Sequence, residues 1–557
     1  MNRKTPTGAP ARTAANTRRK RDRDLFLLLP WLLASAALLL ALGALASYGW
    51  VVAHRIAYPY DLEWMESGML CHALRLFQGQ PIYAPPSVDF IPHLYTPLYP
   101  LLVAGLAKLT GDVGYTLART VSLASFAGAL AIGALWARRE GGSWLAALIA
   151  LSIPVAAFAD VGGFYDLARS DSLQLFLTVA GAYVAYYGRG RHADLTLAAV
   201  LLVAAFFAKQ TAAPCIVFIG LGLLPTRRPS IITFAVVGCA LFALCVTVAS
   251  RASDGWFWTY IFRLHQGHPF HSHRAYIETP RTLITIIGAA LALVPWALLS
   301  GWLRQTDPDD VEVTPPDAPI SLATPHGLSF LAWLALGGLL TSMIAFGTQW
   351  AHTNAYIPGV FFPSLAIAAA AGRLLHRPDE PRAQSLGQRR GRALRQTLVW
   401  ALLAASLLPR VRAMNPRAHV PTQADRDAGD AVIARLAAVP GDVLIPFHPF
   451  YAHLAGKRTF LHRMGVWDVR GTVAGPVRGL QAALVQRRFA RILFDDKVEA
   501  TWGDWPDVLS SYRIVERFTG PRCVEGARTS PALLLEPPPQ QDWAPGDGSD
   551  HADPPLD

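Results

Sequence analysis

The chain has 557 residues, of which 52% are hydrophobic and only 16% charged, with a formal net charge of +11. A soluble protein carries roughly a quarter charged residues, and single apolar cores stop growing beyond about 250–300 residues, so an ordinary soluble globule is excluded. The positive charge sits mainly at the N-terminus and in short loops between apolar runs, which is a pattern of membrane topology and excludes nucleic acid as the partner.

Residues 1–24 read as a basic cytoplasmic tail, with Arg18, Arg19, Lys20, Arg21 and Arg23 ahead of an apolar stretch from 25 to about Val52. That stretch is too long for the apolar core of a signal peptide and reads as a retained first helix. Further apolar runs lie at about 114–137, 143–159, 169–187, 193–208, 210–225, 230–250, 281–303, 327–346, 355–374 and 396–410. A membrane-spanning helix needs about 20 such residues.

Segment 95–110, short and interrupted by Pro97 and Pro100, is ambiguous by length. Charge settles its place. If it does not span, Arg138, Arg139, Arg189, Arg191, Arg227, Arg228 and the arginine-rich stretch 373–395 all fall in the cytoplasm; if it spans, all fall outside. It is therefore expected to be re-entrant or interfacial. About eleven transmembrane helices are then expected within 25–410, with 53–113, 160–170, 251–280 and everything after 411 facing outward.

In the C-terminal part, Val432–Ala438 reads as helix, and Asp442–Pro446, Arg491–Phe494 and Tyr512–Phe518 read as short strands. The expected fold class is an all-α polytopic membrane protein with a small extracytoplasmic α/β domain at 411–535. A Pro- and Asp-rich tail at 536–557 has the composition of disorder. Cys71, Cys215, Cys239, Cys245 and Cys523 show neither metal nor disulfide spacing.

The first outer loop opens Tyr58-Pro-Tyr-Asp-Leu-Glu-Trp-Met-Glu66. As solvated interfacial acids, Asp61, Glu63 and Glu66 would need no explanation. Beside a low-dielectric helix end they are natural general bases, because burial raises a carboxyl pKa. Leu70, Leu74 and Phe77 follow at helical spacing and predict an amphipathic juxtamembrane helix ended by Gly79. Then come His93 and Tyr95-Thr-Pro-Leu.

At the start of the fourth helix stand Asp166, Arg169 and Asp171, for which a plain Arg169–Asp166 ion pair is the competing reading. Lys209 ends the fifth helix, where a snorkelling lysine competes with a phosphate contact. The loop 251–280 carries Arg263, His265, His268, His271, His273 and Arg274; without an accompanying cysteine these read as phosphate contacts or interface anchors before a metal site. Walker A, GxSxG and HExxH motifs are missing from the sequence.

This order of features over roughly 25–210 resembles the GT-C superfamily of membrane glycosyltransferases, which includes the protein O-mannosyltransferases and the lipid A aminoarabinose transferase. An acidic motif after the first helix leads into a juxtamembrane helix ending in G-x-P-x-Y, here Gly79-Gln-Pro-Ile-Tyr83, followed by a YPPL-like segment, here Tyr95-Thr-Pro-Leu. The resemblance implies an inverting transfer of a monosaccharide from a polyprenyl-phosphate donor to an extracytoplasmic glycan, lipid or protein acceptor. One of Asp61, Glu63 or Glu66 would be the base, with Glu66 first for its spacing to Gly79. Arg169, Asp171, Lys209, His93, Tyr95, Arg263 and His268 would surround the donor phosphate, with neither metal nor cofactor. The rival reading, a lipid-linked-sugar flippase or transporter, expects an internal repeat and charges near the midplane; the sequence has no visible repeat, and its polar residues gather at the outer rim.

Overall fold

The computed structural model describes residues 10–188, 192–226, 230–305, 325–376, 385–496, 508 and 511–539. Arg189, Arg191, Arg227, Arg228, Arg377, Arg382 and the tail beyond 539, all used in reading topology or disorder, lie outside the described residues. In chain order the first helices are α1 (Pro10–Arg55), α2 (Met65–Phe77), α3 (Leu98–Thr110), α4 (Tyr115–Gly141), α5 (Trp144–Ala156), α6 (Asp171–Tyr187), α7 (His192–Ala208), α8 (Ala213–Leu223) and α9 (Ser230–Arg251). Each apolar run read from the sequence is helical.

Among the described residues, six helices are long and apolar enough to cross a membrane, or seven if a bent pair at 387–438 counts as one span. The sequence count of eleven is higher because several apolar runs fold as shorter helices. Trp144–Ala156, His192–Ala208 and Gln210–Leu223 are each too short alone. Pro154 lies in the last turn of α5. Extended backbone at Lys209 (φ −158°, ψ 125°) breaks the run between α7 and α8.

Helix α4 shows the two ends of the bundle. Arg119 lies near its start and Glu140 near its end; 21 residues at a 1.5 Å rise span roughly 32 Å, the thickness of a hydrocarbon core. At the far end, Glu140 accepts hydrogen bonds from Arg373 (2.5 Å) and Tyr187 (2.5 Å), beside Arg138 and Arg139. A Cβ on Gly372 would lie 2.5 Å from the Gly141 carbonyl oxygen. The small residue lets α4 and the central helix Ile357–Leu375 touch backbone to backbone, as packing in lipid favours.

After the last long helix (Leu386–Ala413), Thr422 and Asp425 form a capping box that starts the helix Gln423–Ala438. A four-stranded sheet follows: β1 (Val443–Leu444), β2 (Arg491–Asp495), β3 (Arg513–Arg517) and β4 (Pro531–Glu536), in the order β1-β2-β4-β3. β1 and β2 are parallel, while β4 runs antiparallel to both β2 and β3. β4 is the strand the sequence did not reveal. The unit docks on the bundle through Glu525, which reaches the buried Arg55 at the end of α1.

Candidate active site

The loop after α1 is held by buried charges, and each of its three acids has a different environment. Arg55 grips Asp166 with two hydrogen bonds, Nε to Oδ2 at 2.8 Å and Nη2 to Oδ1 at 2.5 Å. It also donates to the Gly163 carbonyl (2.8 Å) and to Glu525. Asp166 therefore belongs to Arg55, and the Arg169–Asp166 pair is not formed.

Glu66, first choice for the base on spacing, is an anchor. Its carboxylate accepts from the amides of Leu62 (2.7 Å) and Ala168 (2.7 Å), and from Arg119 Nε (2.9 Å) and Nη2 (2.6 Å). Burial pushes its pKa up, but Arg119 and the amide donors outweigh that and hold it below the usual value. It does not line the cavity described below, so its lone pairs are spent on folding the loop.

Asp61 is also turned away. It accepts from Ser67 Oγ (2.6 Å) and from His448 Nδ1 (2.6 Å), and His448 Nε2 in turn meets Asp495 at 3.1 Å. Burial opposes the charge on His448, but Asp495 and Asp61 push its pKa up to about 10. The histidine is thus an imidazolium clasped between loop and sheet.

Glu63 faces open space. It lines a 930 Å³ cavity bounded by the first outer loop, the 160–170 segment, the α7–α8 break, the 251–280 loop, the 341–355 segment and the C-terminal unit. Burial lifts its pKa to about 7, even though Arg169 Nη1 lies 2.8 Å away. Its stem is pinned from the C-terminal side. Gly526 has φ +59°, and a Cβ there would lie 2.6 Å from Glu63 Cγ, so only glycine fits.

Three cations line the cavity, Arg169, Lys209 and Arg463. Arg169 donates to the Tyr95 hydroxyl (2.9 Å) as well as to Glu63. Lys209 Nζ donates to Asp171 (2.6 Å), whose same oxygen also accepts from Asn354 (2.9 Å). His93 lines the wall with both ring nitrogens unpartnered although only 1% of the residue is exposed. Such groups are rare in folded proteins. Burial depresses its pKa, keeping the ring neutral with one donor and one acceptor on offer. His72 positions it: Nδ1 donates to the Gly68 carbonyl (2.7 Å) and Nε2 accepts the His93 backbone N–H (2.9 Å).

Of the residues singled out from sequence, Glu63, His93, Tyr95, Arg169, Lys209, His265 and His268 line the cavity. Asp171 stands behind Lys209. Arg263 is exposed and lies outside the lining. Sequence reasoning missed Asn354, Arg463, Trp467 and Asp468, which come from distant segments; the charged and aromatic run Arg463-Met-Gly-Val-Trp467-Asp468 was the one available signal. No group of three or more His, Cys, Asp or Glu side chains able to hold a metal ion occurs among the described residues.

The architecture is a helical bundle with a small four-stranded sheet docked at one end. It is shared with ArnT from Cupriavidus metallidurans, whose structures are of the apo state and of the protein bound to undecaprenyl phosphate. Both align at a TM-score of 0.51 and 12% identity over 89% of this chain and 97% of that one. The archaeal oligosaccharyltransferase AglB from Archaeoglobus fulgidus, in complex with an inhibitory peptide and a dolichol-phosphate, aligns at a TM-score of 0.47 and 12% identity over 85% of this chain and 70% of its own. No family model matches the sequence, and no curated protein matches it.

Proposed function

We propose that this multi-pass membrane protein is an inverting glycosyltransferase that moves a monosaccharide from a polyprenyl-phosphate donor to an acceptor hydroxyl outside the cytoplasm. The observation that carries the reading is the cavity at one end of the bundle, where Glu63, with a pKa of about 7, stands beside Arg169 and Lys209. The fold shared with ArnT, one of whose structures holds undecaprenyl phosphate, supports the donor class.

In this mechanism the acceptor O–H gives its proton to Glu63. The oxygen attacks the anomeric carbon as the bond from that carbon to the phosphate oxygen breaks. The departing phosphate takes the electron pair, and Lys209 and Arg169 offset its charge in a site shielded from bulk water. His93 supplies a hydrogen bond to the sugar or phosphate, and Tyr95 holds the Arg169 guanidinium in place. Attack opposite the leaving group inverts the anomeric centre. Glu63 replaces Glu66 as the base because a base must reach the reacting proton.

The shorter helices paired across breaks complete the span count toward eleven, with 53–113, 160–170, 251–280 and 411–535 outside. The transporter reading lacks support, because the buried charges gather at the two ends of α4 and not at its middle. Proteoliposomes holding the purified chain and a polyprenyl-phosphate sugar separate the two. An enzyme releases free polyprenyl phosphate as the sugar is transferred, whereas a transporter moves intact donor across the bilayer and releases none.

A further inference from the structure

Part of the cavity wall combines Trp64 of the first outer loop, Trp350 of the segment between the helices Pro325–Gly347 and Ile357–Leu375, and Phe447, Arg463, Trp467 and Asp468 of the C-terminal unit. Trp64, next to Glu63, packs against Trp467 with ring centroids 6.4 Å apart, and Trp467 stacks on Trp350 at 5.1 Å with the rings 9° from parallel. The three indoles make a continuous strip from the acid to the cavity rim, where Trp350 is 49% exposed. Trp350 holds φ +65°, a left-handed conformation uncommon for a bulky residue. Strain of that kind persists where the surroundings require it; here the stack on Trp467 fixes the ring at the rim.

Polar groups alternate with the rings. Arg463 is buried with its guanidinium 3.9 Å from the Trp467 ring centroid and 4.6 Å from that of Phe447. Asp468 is 6% exposed, lines the cavity and lies 3.8 Å from His268 Nε2. Burial lifts its pKa to about 8.

We propose that this wall is the acceptor subsite and that the acceptor is a carbohydrate chain, a sugar ring stacked on the open face of Trp350 and its hydroxyls bonded to Asp468 and Arg463. Flat aromatic faces interleaved with one acceptor and one donor group match a polyol, whose ring faces are apolar and whose edges are hydroxylated. A lipid alcohol offers one hydroxyl and no ring face to an indole, whereas this wall sets Arg463 and Asp468 among its indoles. The inference rests on the transferase reading and names the second substrate of the same site.

Two measurements on the purified full chain test it. The first is indole fluorescence with a panel of short neutral oligosaccharides and no donor present. The second is transfer from a polyprenyl-phosphate sugar to oligosaccharides, hydroxyl-bearing peptides or lipid alcohols. Oligosaccharides should bind and accept sugar. Trp350→Leu and Asp468→Asn should each raise the oligosaccharide KM about tenfold or more with a smaller change in kcat. Transfer to peptides or lipid alcohols alone, an unchanged KM in both variants, or no oligosaccharide binding overturns the proposal. Oligosaccharide binding sensitive to both variants, with no donor ever cleaved, would sustain the ligand class of this wall and remove the transferase reading instead.

Discussion

Replacing Glu63 with glutamine changes one proton-accepting oxygen and little else. The amide keeps a carbonyl oxygen for Arg169 Nη1, now 2.8 Å from Oε2, and Arg169 stays on Tyr95 at 2.9 Å. The fold and the donor-phosphate contacts are therefore retained, while the group that takes the acceptor proton is lost. A positioned general base contributes about 10²–10⁴-fold, which is roughly 3–5 kcal/mol of barrier. The wild-type pH profile gives a second readout. Burial raises Glu63 to about 7, so the carboxylate is the minor form below that pH, and kcat/KM should climb about tenfold per pH unit up to about 7 and level off above it. In Glu63→Gln that limb should vanish and leave a low, flat profile. The assay is release of polyprenyl phosphate by purified protein, with donor binding measured separately. A variant that turns over near the wild-type rate, or that keeps the rising limb, refutes Glu63 as the base.

Glu66→Gln should fail in a different way. It leaves the fully buried Arg119 without its counter-charge, so thermal unfolding should show a loss of about 3–5 kcal/mol. Lys209→Met and Arg169→Gln should weaken donor binding, and polyprenyl-phosphate titration of the folded fraction reads both. Gly526→Ala should displace Glu63 and cut turnover without preventing donor binding, because the new methyl occupies the space of Cγ. His448 binds its proton more tightly folded, at about 10, than unfolded, near 6.5. Its contribution to stability is then complete below about 6.5 and is lost as pH rises through 10, which melting of the C-terminal unit between those values will show.

Hydropathy and charge exposed the helical bundle, because lipid forces every apolar run to satisfy its own backbone as helix. The span count was harder to read, since a break such as Lys209-Gln210 costs little in apolar composition yet ends a helix. Strands β1 to β3 were legible from short apolar stretches. β4 was hidden because Pro531–Glu536 runs directly into the proline-rich tail. The acidic cluster after α1 was visible as a site, but its internal ranking was not. Glu66 and Glu63 differ only in what lies against them: Arg119, 53 residues on, claims one, while Arg169 and Gly526 frame the other. Asp61 was likewise inseparable from its neighbours until His448, from the sheet unit, was seen clasped against it. Such long-range pairing leaves no local mark on sequence. The competing reading of an Arg169–Asp166 pair could not be decided for that reason too, since Arg55 is the cation that reaches Asp166.

The most direct test is a structure of the protein with a polyprenyl phosphonate sugar, a donor analogue whose bond to the sugar cannot be broken. The account predicts the phosphonate on Lys209 and Arg169, the sugar against His93, and space for one acceptor hydroxyl between Glu63 and the anomeric carbon. A phosphonate bound outside this cavity, or a sugar whose anomeric carbon points away from Glu63, would contradict it.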